Sequence, residues 1–99
     1  MRCTQEHVLS ETLASIKRDV FSSHEFIRKL MGLFSDEYVA DLLKLFDDGK
    51  KRPLTTLHAS IGKSLTRFEG TLIERLLRKP SRNLLGRTTT NQEWRRIKP

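Results

Sequence analysis

Lys63 and Arg67 stand four residues apart, a spacing that puts both on one face of a helix. Thr56, Ala59 and Thr66 share that outer face, and no carboxylate does. Side chains of these types suit a polyanion. A lysine can meet a phosphate or a guanine edge, and an arginine can do either with bidentate geometry. Thr55 and Thr56, at the start of the helix, can donate to a phosphate beside the backbone amides there. Ala59 is small enough to let the helix approach closely. Further on, Arg82 and Arg87 flank Asn83-Leu84-Leu85-Gly86, where an extended arm would carry them to phosphate or to the minor groove. The plainer alternative for the 55–67 face is an ordinary solvated helix surface.

Other chemistries find little in the chain. His7, His24 and His58 fall on three different predicted elements, with no HxxxH or HExxH spacing among them. Cys3 is the single cysteine, which excludes an intrachain disulfide and a cysteine-based zinc cage. No metal and no cofactor is therefore expected. Gly62-Lys63-Ser64 superficially resembles the end of a phosphate loop. No glycine-rich approach precedes it, and Ile61 and Leu65 place it inside a helix. Asp47-Asp48 lies at a helix end beside lysines, where solvation explains it. The expectation is a protein that binds rather than catalyses.

Charge points the same way. The net charge is +7 over 99 residues, with 19 Lys plus Arg against 12 Asp plus Glu. Residues 1–70 are nearly balanced, whereas residues 71–99 carry eight basic side chains and only Glu74 and Glu93. A balanced body with a basic final third fits a nucleic-acid footprint. A solvated tail is the alternative, but here the basic residues are mixed with apolar ones. The length supports one domain over 1–99, with a body near 5–70 and a basic arm near 71–99. No uncharged run approaches the ~18–20 residues of a membrane span. The first residues hold no apolar leader core, and the cysteine usage fits a reducing cytoplasm.

The elements that must position these residues follow from apolar spacing. Leu9, Leu13, Ile16 and Val20 predict a helix near 5–17, with Thr4 as its cap. Val20-Phe21 forms a short apolar step. Ser22-Ser23-His24-Glu25 is a capping box opening a helix near 23–34, with Phe26, Ile27, Leu30, Met31 and Phe34 on its face. Ser35 caps a third helix near 36–48, whose stripe is Val39, Leu42, Leu43 and Phe46, and Gly49 is its C′ residue. A fourth, capped by Thr55 or Thr56, runs to about residue 68. It turns Leu57, Ile61, Leu65 and Phe68 inward. Residues 71–79 read equally as a short helix or a strand. Residues 82–90 fit a hairpin or extended arm, and Trp94 with Ile97 folds back onto the body.

The order is helix, short step, two helices, a hydroxyl-capped basic helix, then a basic segment with Gly86 and a late Trp94. It resembles winged helix-turn-helix DNA-binding domains in element order and charge, over about 5–97. That resemblance implies a recognition helix at 55–68 in the major groove and a β-hairpin wing on the adjacent backbone. Two features depart from it: the stretch between Ser22 and Gly49 is longer than one supporting helix needs, and 71–79 is not plainly a strand. The expected fold is mainly α, or α+β if the wing is present, with four or more helices and a C-terminal hairpin or arm. The expected partner is duplex DNA, in a transcriptional regulator that pairs as a homodimer through its first helix. The alternatives are a helical module that inhibits or recruits a protein partner, and RNA binding.

Overall fold

The structure is a computed structural model that describes residues 1–82, 86 and 88–97, without the side chains of 81, 82, 88 and 90. Its elements are α1 (Glu6–Ser15), β1 (Val20–Ser22), α2 (Ser23–Leu33), α3 (Ser35–Asp47), α4 (Pro53–Ser64), a 3₁₀ turn (Leu65–Phe68), β2 (Ile73–Arg82) and β3 (Thr88–Arg96). The three strands form one antiparallel sheet in the order β1-β3-β2, so the fold is mixed α+β. Among the described residues no helix is long and apolar enough to cross a membrane.

Local chemistry explains most of the boundaries. Ser22 caps α2 by accepting the Glu25 N–H at 3.1 Å. The reciprocal half of the capping box is not made, because the Glu25 carboxylate turns outward to Arg18 at 3.0 Å. Thr4 does not cap α1; its hydroxyl donates to the Met1 carbonyl, and Gln5 holds the cap position without a side-chain bond. That turn is held from outside instead. Asp41 of α3 accepts the N–H groups of Arg2 at 2.8 Å and Cys3 at 2.7 Å. α3 begins at Ser35 with Phe34 at its cap position, so no serine side chain caps it. Its other end is closed by Gly49 at φ +80°, with Gly49 N–H on Phe46 O and Lys50 N–H on Leu45 O. α4 starts earlier than its threonines suggest. Pro53 opens it, where its fixed φ suits the first turn and its missing N–H costs nothing. Thr55 and Thr56 therefore lie inside the helix rather than at its cap.

The inner stripe of α4 is as expected: Leu57, Ile61, Leu65 and Phe68 are buried, among Phe21, Phe26, Leu30, Ile73 and Trp94. Burying each such aliphatic or Phe side chain contributes about 1.5–3 kcal/mol. α1 spends Val8, Leu9, Thr12 and Leu13 on this core, so its apolar stripe is not free for dimer contacts. α3 corrects the expected stripe. It buries Tyr38, Asp41 and Leu45, half-buries Leu42, and leaves Val39, Leu43 and Phe46 exposed. The helix is apolar on two sides, and Asp41 takes an inward position because two backbone donors meet it there.

Of residues 71–79, 71 and 72 form a turn and 73–79 are strand, and the irregularity explains their helix-like spacing. Arg75 lies opposite Trp94 and Arg78 opposite Gln92, so a bulge inserts one extra residue into β2. Without it, residues three apart would face opposite sides of the sheet. With it, Arg75 and Arg78 share a face. Trp94 packs inward as expected, 2% exposed and paired across the ladder with Phe21. Ile97 stays partly exposed; its N–H donates to Leu72 O at 2.9 Å.

Candidate functional site

One open groove of about 620 Å³ runs between the outer face of α4, the start of α2 and the β2–β3 hairpin. α4 lines it with Thr55, Ala59, Gly62, Lys63 and, just past its end, Thr66. The spacings 4, 3 and 4 along Thr55, Ala59, Gly62 and Thr66 trace one helical arc. A Cβ added at Gly62 would meet nothing within 4 Å, so this arc is a low, open floor. The hairpin supplies Arg75, Arg78 and Gln92 to the opposite wall. Among the described residues three cations line the groove and no carboxylate does.

The hairpin cations differ in how they are held. Arg75 makes a two-pronged bond to Glu69, both contacts at 3.1 Å, and lies 5.3 Å from the centre of the Trp94 ring. Arg78 donates to the Gln92 amide oxygen at 3.3 Å and has no carboxylate partner among the described residues. Gln92 is itself anchored by donating to the backbone oxygens of Leu76 and Glu93. Lys63 has no ion pair among the described residues.

Three further basic side chains of the C-terminal third have partners within the fold. Lys79 pairs with Glu93 at 3.1 Å and Arg95 with Glu74 at 3.4 Å. Arg96 donates to the carbonyls of Arg18 and Leu13, closing the C-terminal end of α1.

Of the residues singled out by sequence, Thr55, Ala59, Lys63 and Thr66 come together in the groove. Thr56 and Arg67 do not line it. Thr56 is half-buried, and Arg67 is exposed but turns to the N-terminal segment, donating to the Thr4 carbonyl. Both lie on the flank of the helix that Lys63 also occupies, but Arg67 is held by the Thr4 carbonyl and Thr56 is partly covered. Arg87 lies outside the described residues, as does the side chain of Arg82, whose backbone closes β2 opposite Thr88. Arg75, Arg78 and Gly62 join those in the groove; the sequence suggests the arginines of 75–96 only as a general clamp and does not single out Gly62. Their signal was the lack of carboxylates on α4 combined with two arginines three apart, which only the bulge aligns.

His58, on the inner flank of the groove, pairs through Nε2 with the Tyr38 hydroxyl at 2.7 Å and so ties α4 to α3. Burial, with His24 adding to it, holds the His58 imidazole below its ordinary value. Cys3 is fully buried, and burial followed by the Asp41 carboxylate pushes its thiol up to about 12, so it is no nucleophile at neutral pH. Among the described residues no three His, Cys, Asp or Glu side chains gather as a metal site. In comparison with known proteins, the chain matches no family model, no curated protein and no solved structure.

Proposed function

We propose that this protein binds duplex DNA and acts as a small transcriptional regulator without catalysis. The outer face of α4 enters the major groove, and the β2–β3 hairpin lies on the adjacent backbone as a wing. The observation that carries this reading is the groove lined by Lys63, Arg75 and Arg78 with no carboxylate among the described residues. A helix with a low outer face of Thr55, Ala59 and Gly62 fits the major groove, which is about 12 Å wide. The topology supports the same reading. β1 pairs with β3, and a hairpin follows α4, as in the winged helix-turn-helix pattern that the sequence resembles. The additional helix α3 is this chain's departure from that pattern.

Each residue has a role in this account. Thr55 and the first-turn amides of α4 hold a phosphate. Lys63 meets a phosphate or a guanine edge, and Arg78 meets the backbone beside the groove. Arg75 stays with Glu69 and Trp94 and stiffens the wing. Arg82 and Arg87 contact phosphate. Recognition of single strands by stacking has less support, because Trp94 is buried and Arg75 covers its ring.

The test is fluorescence anisotropy with a random duplex, its single strands and a structured RNA, at about 50 and 200 mM salt. Duplex should bind tightest. Phosphate contacts from Lys63, Arg78, Arg82 and Arg87 would weaken it about 150-fold between those salts. Tighter binding to RNA or single strands would overturn the reading.

A further inference from the structure

We propose that the outer face of α3 pairs two copies of this chain, helix against antiparallel helix, about a two-fold axis at Leu43. The inference stands apart from nucleic-acid binding and needs no ligand. Val39, Leu43 and Phe46 are 50%, 57% and 68% exposed, while the inner side of α3 is spent on the core. They recur at spacings of 4 and 3, which makes one continuous stripe. Together they present about 300 Å² of apolar surface.

The charges at the two ends of the stripe choose the occupant. Asp36 lies on the same arc as Leu43 at the start of the helix, and Lys50 follows the closing Gly49 at the other end. Both are exposed, and among the described residues neither has an ion pair within its own chain. A parallel pair would set Asp36 against Asp36 and Lys50 against Lys50. An antiparallel pair centred on Leu43 brings each Asp36 to the far end of α3 in the second copy, where exposed Lys50, Lys51 and Arg52 outnumber Asp47. It also lays Val39 against Phe46 of the second copy and Leu43 against itself. The surface is thus self-complementary in shape and sign, as a two-fold contact requires. With its charged rim it covers roughly 500 Å² per copy, which is near the lower limit for a specific interface, so the dimer is weak. No residue of α3 lines the groove, so both grooves remain open in the pair.

Sedimentation equilibrium of the full chain, free of nucleic acid, tests this between about 5 and 500 µM. Wild type should pass from monomer to dimer within that range. Leu43→Glu should stay monomeric with an unchanged melting temperature. Phe46→Gln, at the most exposed position, serves if the first variant folds poorly. Asp36→Lys and Lys50→Asp should each weaken the dimer, by about 3- to 30-fold. The two combined should return it to near the wild-type value, which a merely apolar contact would not show. A wild type that stays monomeric throughout overturns the proposal and leaves the stripe to a different protein. A dimer indifferent to both Leu43→Glu and Phe46→Gln, or a combined charge reversal that fails to recover, also overturns it.

Discussion

Replacing Ser23 by Ala removes one hydroxyl, and its consequences reach the wall of the groove. The Trp94 indole N–H donates to Ser23 Oγ at 3.0 Å, which joins β3 to the first turn of α2. Trp94 is 2% exposed and carries Arg75 over its ring, so the position of the hairpin relative to α4 depends on this junction. Losing the acceptor should cost about 1–3 kcal/mol, nearer 1 if groove water reaches the orphaned N–H. Trp94→Phe removes the donor itself. It also weakens the contact with Arg75 by about 0.5–1 kcal/mol and leaves a small cavity, for a total of roughly 2–3.5 kcal/mol. In the Trp94→Phe background, Ser23→Ala has no bond left to break. The double variant should therefore fall short of additivity by about 1 kcal/mol. Urea midpoints followed by far-UV circular dichroism read all four proteins, and each kcal/mol moves the melting temperature by about 4–8 °C at this size. Additivity within about 0.3 kcal/mol would refute the junction.

Asp41→Ala should destabilise by about 2–4 kcal/mol, because the Arg2 and Cys3 N–H groups lose a charged acceptor; urea melts check this, and a loss under 0.5 kcal/mol contradicts it. Ile61→Ala, on the buried side of α4, should cost about 2–5 kcal/mol in the same assay. His58 contributes pH dependence. Its folded pKa is lowered, so its contribution is complete above the unfolded value near ~6.5 and is lost as pH falls through the folded one. The urea midpoint should therefore decline between about pH 7.5 and 5, and His58→Gln should shrink that decline.

The inward faces of α2 and α4 were legible because their apolar residues recur at one helical period and meet one core; of the stripe expected for α1 only Leu9 and Leu13 lie in the helix, which ends at Ser15, while Val20 opens β1. Ser22 and Gly49 were legible because capping chemistry is local. α3 was not. Its apolar residues fall on two faces, and periodicity cannot tell which face an Asp41 bound to distant amides will turn inward. The strand at Arg75–Arg78 was hidden by its own bulge, which gives an extended segment the spacing of a helix. At the site, the α4 floor was legible from side-chain size and missing carboxylates. The hairpin wall depends on register, and the pairing of Lys79, Arg95 and Arg96 depends on tertiary neighbours.

The central claim is that Lys63 and Arg78 face a duplex across the groove. The salt dependence of duplex binding tests it most directly, measured for wild type, Lys63→Ala, Arg78→Ala and the double variant. If both cations sit on phosphate, each single change should lower the slope of log affinity against log salt by about 0.9, and the double by about 1.8. Slopes that match wild type in all three variants, or no duplex binding even at low salt, would contradict the account.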